Sequence, residues 1–139
     1  MNHLAHFHLA GVEHDLIVGG FLGDFVKGRL PSEYDANIDR GIRLHRSIDV
    51  FTDQHPIVKQ SQARFSPRLR RFSPVITDIV FDHFLACHWE RYSALSLQQF
   101  SQQICQIILA NEPTLPENAK RLINDMQQHR RLEKYSSRE

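Results

Sequence analysis

The stretch that decides the fold is residues 41–55, GIRLHRSIDVFTDQH. His45, Asp49 and Asp53 recur in it every fourth residue, and apolar side chains occupy several positions between them. An α-helix completes a turn in about 3.6 residues, so this spacing lines up an imidazole and two carboxylates along one side of a single helix. Such a row is typical either of a solvated charged face or of a set of metal ligands, because i,i+4 polar pairs are common on exposed helices.

A second row of the same kind favours the ligand interpretation. Residues 76–89, ITDIVFDHFLACHW, place Asp78 and Asp82 four positions apart, with His83 beside the second aspartate. Solvation alone does not readily explain two mixed His/Asp rows on two otherwise apolar helices. We therefore predict that facing helices bring these side chains together.

The rest of the chain is expected to be helical as well, because Pro, Gly, Ser and Asp residues separate segments with helical periodicity. Residues 2–10 are compatible with a strand or a short helix, and residues 16–28 form an apolar segment. No internal repeat or linker is present, so we predict one all-α domain over residues 1–139 with about six to seven helices. The longer helices are expected at residues 33–53, 56–64, 74–92, 96–111 and 117–135.

Composition narrows the class of protein. The 139 residues carry a net charge of +1, which does not indicate a nucleic-acid or membrane partner. No stretch approaches 18 uninterrupted apolar residues and the amino terminus lacks the features of a signal peptide, so a soluble cytoplasmic protein is expected. Cys87 and Cys105 have no metal-binding spacing and lie in apolar contexts, so both are predicted to be reduced and buried.

Asp24 is the only charged residue in the apolar run LIVGGFLGDFV, residues 16–26. Such a carboxylate must be exposed, paired or metal-bound, because burying it alone costs several kcal/mol. A functional role is therefore favoured for Asp24. Gly19 and Gly23 lie four positions apart in the same run, a spacing that lets another backbone approach closely.

Histidine and aspartate ligands on facing helices point to hydrolysis assisted by a divalent ion. Imidazole and carboxylate together suit Mn²⁺, Fe²⁺ or Zn²⁺, and the lack of thiolate ligands argues against a structural zinc site. A bound ion of this kind activates water and neutralises charge on a phosphoryl oxygen, and phosphoester hydrolysis needs both effects.

Four segments of the chain together resemble the acyl carrier protein phosphodiesterase family. The family is similar in turn to the all-helical HD-domain phosphohydrolases, although the doublet here, Asp82-His83, has the reverse order. The resemblance implies an HD-like fold and hydrolysis of the phosphodiester that joins 4′-phosphopantetheine to a serine of holo-acyl carrier protein, with Mn²⁺ as the favoured ion and Mg²⁺ or Fe²⁺ as alternatives. The four segments are MNHLAHFHLA at 1–10, LGDFVKG at 22–28, GIRLHRSIDVFTD at 41–53 and DIVFDHFLACHW at 78–89.

The resemblance and the two ligand rows together define the predicted site. The resemblance implies that Asp24 matches an aspartate of the family that is associated with activity, and that His6 matches a histidine of the family. Another amino-terminal histidine, His3, is expected at the surface. The predicted metal ligands are Asp24, His45, Asp49, Asp82 and His83, with Asp24, Asp49 and His83 as the catalytic residues and His6, Asp53, Asp78 and His88 in or near the site.

Basic residues between the two ligand rows are predicted to dock the acidic carrier protein through electrostatic attraction. A solvated loop with several arginines is the alternative. Family members continue through further helices after the point that matches Tyr135, so a shortened domain is expected here. Two other functions stay open: hydrolysis of a small phosphoester or nucleotide, and an inactive helical protein that binds the carrier or forms homo-oligomers. The docking residues are Arg46, Arg64, Arg68, Arg70 and Arg71.

Overall fold

The computed structural model describes residues 1–137. They form eight α-helices and three short 3₁₀ helices, and no strand occurs within this range, so the all-α prediction is confirmed. The α-helices are α1 His3–Leu9, α2 His14–Leu22, α3 Ala36–Gln54, α4 Pro56–Ala63, α5 Ser73–Cys87, α6 Leu97–Leu109, α7 Glu117–Gln128 and α8 Arg131–Lys134. The 3₁₀ helices are Arg70–Phe72, Trp89–Arg91 and Glu112–Thr114.

Local sequence signals begin several of these helices. The Asp35 side chain accepts hydrogen bonds from two backbone N–H groups in the first turn of α3, which would otherwise lack partners. Ser96 and Gln99 form a capping box at the start of α6. Pro56 lies in the first turn of α4, where its missing N–H costs nothing.

Two of the expected helices differ from the observed ones. The helix expected at 74–92 ends at Cys87, because the backbone leaves the helical region at His88 and Trp89–Arg91 forms a tighter 3₁₀ turn. The helix expected at 117–135 is divided into α7 and α8, because Arg130 between them adopts a left-handed conformation with φ 51° and ψ 45°. A side chain rarely takes that conformation inside a helix.

The amino-terminal segment, which the sequence left open between strand and helix, is the helix α1. Leu4 and Phe7 are buried three positions apart on one face, as a helical period requires. His6 is also buried, whereas Leu9 is half exposed. The burial of α1 therefore brings one of its histidines into the interior of the protein.

Helices α2 and α3 pack with their backbones in contact at Gly19 and Gly41. A Cβ atom on Gly19 would lie 2.2 Å from the carbonyl oxygen of Ile38 and 2.7 Å from the Cα atom of Gly41. Only glycine permits so close an approach. This packing places the end of α2 beside the middle of α3, where His45 lies.

The core lies mainly between α1, α2, α3, α6 and α7. Apolar side chains from these helices form one continuous cluster, as expected for a single packed core. Its fully buried members include Leu4, Phe7, Phe21, Leu22, Ile42, Ile108, Ile123 and Met126.

Helix α5 differs from the others because it exposes much of its apolar surface. Val75, Ile79 and Phe84 are each at least half exposed on it. Cys87 at its end is exposed and Cys105 on α6 is buried, so the prediction of burial is wrong for Cys87. The reason is that α5 ends at Cys87 and packs on its neighbours through a different face.

No helix within residues 1–137 is both long enough and apolar enough to cross a membrane.

Candidate metal centre

The site is built around His45 and Asp49 of α3. They lie four residues apart on one face of the helix, with His45 Nε2 3.3 Å from Asp49 Oδ2. The His45 side chain is only 5% exposed, whereas that of Asp49 is 38% exposed. The pair therefore has a buried end and an end that solvent or a substrate can reach.

His6 of α1 completes a close cluster with this pair. Its Nε2 lies 3.0 Å from Asp49 Oδ1. Its ring stacks on that of His45, with centroids 3.8 Å apart and planes 8° from parallel. Two imidazoles from different helices thus face the two oxygens of one carboxylate.

Asp24 lies in the turn that follows α2, next to the cluster. Its Oδ1 is 3.4 Å from His45 Nε2, and its side chain is 49% exposed. The sequence required the Asp24 carboxylate to be exposed, paired or metal-bound, and in the structure it is both partly exposed and paired. Asp24 forms the solvent-facing side of the group of charged residues.

His3 also belongs to this region, although the sequence placed it at the surface. Its Nδ1 lies 3.7 Å from Asp24 Oδ2, and its side chain is 22% exposed. His3 and His6 are three positions apart, so a helical assignment of residues 2–10 would have placed both on one face. The undecided secondary structure of that segment is why His3 was missed.

The orientation of the His45 ring is set by the backbone of α2. His45 Nδ1 lies 2.8 Å from the carbonyl oxygen of Gly20. A carbonyl only accepts hydrogen bonds, so Nδ1 carries the proton and donates it. This contact leaves Nε2 facing Asp24 and Asp49.

The charges of the cluster shift the pKa values of its members. Burial lowers the pKa of His45, but hydrogen bonds and charge interactions with Asp24 and Asp49 outweigh this effect and raise it to about 9. Burial raises the pKa of Asp49, but the hydrogen bonds and charges of His45 and His6 hold it far below its usual range. The pKa of Asp24 is lowered, since its pairing with His45 outweighs its own desolvation. Without a metal, the cluster is an imidazolium held between carboxylates.

His6, His45 and Asp49 have the geometry and the chemistry of metal ligands. One potential ligand atom from each lies within 4.8 Å of the other two. Two imidazoles and a carboxylate suit Mn²⁺, Fe²⁺ or Zn²⁺. In addition, the buried Nδ1 of His6 has no hydrogen-bond partner, and an unpaired buried polar atom is costly. The residues present therefore fit a divalent ion.

Asp78 of α5 reaches the edge of the cluster through the amino group of Met1. That nitrogen lies 3.2 Å from Asp49 Oδ1 and 3.3 Å from Asp78 Oδ1. Burial lowers the pKa of the amino group, but the charges of the two carboxylates outweigh it and the pKa is raised. The first carboxylate of the second ligand row thus lies near the first row, as the facing helices predict.

The structure uses Asp82 and His83 differently. The fully buried Asp82 carboxylate accepts hydrogen bonds from the backbone N–H groups of Leu4 at 2.7 Å and Ala5 at 3.1 Å. Burial raises the pKa of Asp82 to about 6. His83 Nδ1 lies 2.6 Å from the carbonyl oxygen of Tyr135. Asp82 thus supports the beginning of α1, which carries His6, and the structure does not bring either residue into contact with the cluster.

Asp53 and His88 are both exposed. No hydrogen bond or ion pair joins either side chain to the cluster in the part of the chain that the structure describes. The i,i+4 row on α3 therefore ends at Asp49, because the last turn of the helix extends into solvent.

The predicted docking arginines fall into two groups. Those between α4 and α5 are exposed, and none forms an ion pair within residues 1–137. Arg71 lies over the ring of Phe72, 4.5 Å from its centroid, and Arg64 borders a cleft of about 290 Å³ between the two helices. Arg46 differs, because its guanidinium donates to two backbone carbonyls. The exposed group is Arg64, Arg68, Arg70 and Arg71.

Comparison with known proteins identifies the family. The family model for acyl carrier protein phosphodiesterase matches residues 1–139. The chain belongs to this family. An acyl carrier protein phosphodiesterase of Serratia proteamaculans is 41% identical over 137 residues, which cover 98% of this chain and 71% of the relative. One of Yersinia pestis is 39% identical over 137 residues, with the same two coverages of 98% and 71%.

A third member of the family, from Pectobacterium atrosepticum, is 46% identical over 89 residues, 64% of this chain and 46% of the relative. No solved structure matches the chain. The family resemblance predicted from the four segments is thereby confirmed, and the relation to HD-domain proteins stays a prediction.

Proposed function

We propose that the chain is a metal-dependent phosphodiesterase of the cytoplasm that hydrolyses 4′-phosphopantetheine from holo-acyl carrier protein and leaves the apo form. Membership of the acyl carrier protein phosphodiesterase family supports the reaction and the substrate. The observation that carries the metal dependence is the cluster of His6, His45 and Asp49 beside the half-exposed Asp24.

The proposed ligands of the ion are His6, His45 and Asp49, with Asp24 on the open side. Mn²⁺ is the preferred ion, and Mg²⁺ or Fe²⁺ are alternatives. When bound there, such an ion supplies Lewis acidity toward a phosphoryl oxygen and toward a water molecule. His45 keeps its Nδ1 proton on the Gly20 carbonyl, so Nε2 is the atom available as a ligand.

Asp24 is the proposed general base. Its Oδ1 lies 3.4 Å from His45 Nε2 and its Oδ2 lies 3.7 Å from His3 Nδ1, and its half-exposed carboxylate can accept a proton from the attacking water. The oxygen of that water forms a bond to phosphorus and stays on the released 4′-phosphopantetheine, while the bond between phosphorus and the serine oxygen breaks. The serine oxygen then takes up the proton that Asp24 accepted. The catalytic role predicted for His83 is not part of this proposal, since its Nδ1 is directed to the Tyr135 carbonyl.

The proposed carrier-binding surface is the basic and apolar region around the start of α5. Its arginines are exposed and unpaired within residues 1–137, so they are available to the acidic groups of the carrier. Val75 and Ile79, which flank Asp78 along the helix, are 63% and 50% exposed. Such a surface combines electrostatic attraction with apolar area next to the candidate site.

The decisive experiment is to incubate the purified chain with holo-acyl carrier protein and Mn²⁺ and to follow the mass of the carrier. We expect loss of the 4′-phosphopantetheine mass, and we expect a chelator to abolish it. Asp24→Ala and Asp49→Ala should remove turnover while the helical circular dichroism stays unchanged. Full activity in either variant would exclude that residue from the mechanism.

A second experiment tests the docking surface. Replacing Arg70 and Arg71 by Glu should raise KM, and most strongly at low ionic strength, because charge attraction is screened by salt. Replacing Arg91 and Arg121 together by Glu is the matched control, because both arginines are exposed and neither forms an ion pair within the described residues. An equal effect of the two changes would show that overall charge, rather than this surface, controls binding.

Failure of hydrolysis in a folded protein that binds Mn²⁺ would favour a small phosphoester or nucleotide as the substrate. Failure together with loss of metal binding would favour an inactive binding protein. The exposed apolar residues of α5 are compatible with self-association, which sedimentation at several protein concentrations measures.

A further inference from the structure

The segment that joins α2 to α3 begins with Asp24 and has no regular secondary structure of its own over residues 24–35. Its middle, residues 27–29, is exposed. An exposed irregular segment is normally mobile unless side chains from elsewhere hold its backbone. The N–H groups of Phe25 and Val26 tie the turn at Asp24 to the carbonyl oxygen of Leu22 in α2, so the remaining freedom of Asp24 depends on what holds the backbone that follows this turn.

Arg46 of α3 holds one part of the segment. Its Nη1 donates a hydrogen bond to the carbonyl oxygen of Gly28 at 2.9 Å, and its Nη2 donates to the carbonyl oxygen of Val26 at 3.0 Å. Both bonds have a charged donor, which makes them stronger than bonds between neutral groups. Val26 follows Asp24 by only two residues, so little freedom remains between the clamp and the carboxylate.

Asp39 holds the other part from the same helix. Its carboxylate accepts hydrogen bonds from the backbone N–H and the hydroxyl of Ser32. Asp39 and Arg46 are seven positions apart, which is about two helical turns, so both lie on one face of α3. Helix α3 therefore fastens the segment at both ends and also carries His45 and Asp49.

We propose that Arg46 is a positioning residue of the site, which acts by clamping the backbone that follows Asp24. The clamp holds the Asp24 carboxylate 3.4 Å from His45 Nε2. The proposal rests on the proposed function only for the role of Asp24 in hydrolysis, whereas the clamp itself is independent of that role. This role replaces the docking of the carrier protein that the sequence analysis predicted for Arg46.

The geometry requires arginine rather than any cation. Two carbonyl oxygens of one segment accept hydrogen bonds from two different nitrogens of one planar guanidinium. A lysine ammonium keeps the charge but is a single point, so it lacks the fork that spans both acceptors. A docking role, which depends on charge, would tolerate Arg46→Lys, and a clamp would not.

The first test is limited trypsin digestion of the folded chain, because Lys27 and Arg29 are exposed cleavage sites within the clamped segment. Arg46→Ala should accelerate cleavage after these residues by about tenfold, the order expected when charge-assisted hydrogen bonds are lost from a local opening equilibrium. Arg46→Lys should recover only part of the protection. Arg43→Ala is the matched control, since Arg43 is exposed on the same helix.

The second test compares kinetic constants and Mn²⁺ affinity for the same variants. We expect Arg46→Ala and Arg46→Lys to lower kcat with little change in KM or in its salt dependence. Cleavage after Lys27 that is equally fast in the Arg46→Ala and Arg43→Ala variants would overturn the clamp. Normal kcat in Arg46→Lys, with a salt-dependent rise of KM in Arg46→Ala, would overturn the positioning role in favour of docking. If the wild type itself hydrolyses nothing, the proposed function fails, and the digestion still decides the clamp.

Discussion

Replacing Gly19 by alanine is expected to lower the free energy of unfolding, because the added methyl group forces α2 away from α3. The new Cβ atom would lie 2.2 Å from the Ile38 carbonyl oxygen and 2.7 Å from Gly41 Cα. Both neighbours are backbone atoms, which cannot rotate away as the end of a long side chain would. The two helices must therefore move apart by about 1 Å to restore normal contact distances.

The neighbouring Gly20 provides a matched control for this change. A Cβ atom there would meet only the Ala10 Cβ, at 3.9 Å, which is an ordinary contact. Alanine is better than glycine inside a helix by about 1 kcal/mol, so Gly20→Ala should raise the free energy of unfolding by about that amount. Gly19→Ala has the same gain in helix propensity, but the clash of its Cβ atom costs about 3 kcal/mol, the upper end of the usual range for overpacking.

We therefore expect Gly19→Ala to lower the free energy of unfolding by about 2 kcal/mol relative to wild type, and by about 3 kcal/mol relative to Gly20→Ala. For a chain of this size the first figure corresponds to a fall of about 8 °C in Tm. Urea and thermal unfolding followed by circular dichroism measure both quantities. Mn²⁺ affinity should also fall, because the Gly20 carbonyl then moves away from His45. Equal stability of the two variants would refute the close packing of α2 on α3.

Three further predictions concern charge, anchoring and exposure. Without metal, the free energy of unfolding should fall as pH rises from about 6.5 to 9, by at most about 1.4 kcal/mol per pH unit. The reason is that folding raises the pKa of His45 to about 9, so the unfolded chain loses the His45 proton at a lower pH than the folded protein does. In urea titrations, His45→Gln should lack that slope below about pH 8, above which the raised pKa of the Met1 amino group contributes a fall of the same sign. Mn²⁺ affinity of the wild type should rise with pH because the metal needs the neutral ring. Asp82→Asn should cost about 2 kcal/mol in urea unfolding, since one acceptor is replaced by a donor beside the first turn of α1; loss of Mn²⁺ with normal stability would instead make Asp82 a ligand. Ellman's reagent should modify Cys87 in the folded protein and Cys105 only after unfolding, so equal rates at the two thiols would contradict their different burial.

Contacts between residues of one helix could be predicted from the sequence. The spacing of His45 and Asp49 places them on one side of a helix wherever that helix packs, and the structure has their side chains 3.3 Å apart. The end of the row could not be predicted in the same way. Asp53 has the same spacing, but it lies beyond the point where α3 is covered by other helices.

Contacts between helices depended on packing. Asp82 and His83 are consecutive in the sequence, and consecutive helical residues point about 100° apart, so no helix face can present both equally to one site. The packing of α5 against α1 turns Asp82 toward the backbone of Leu4, and the segment that follows α8 brings the carbonyl of Tyr135 to His83. Periodicity defines the faces of α5 but not the neighbour that each face meets.

The sequence by itself determined that the chain is helical, that glycines let two backbones approach closely, and that histidine and aspartate recur at metal-ligand spacing. These properties depend on local periodicity and side-chain chemistry, which act over a few residues. Only the tertiary structure decided that His6 stacks on His45, that His3 lies beside Asp24, and that Arg46 grips the backbone after Asp24. Those contacts join residues far apart in the chain, and the distances between them are set by how the helices bury their apolar faces together.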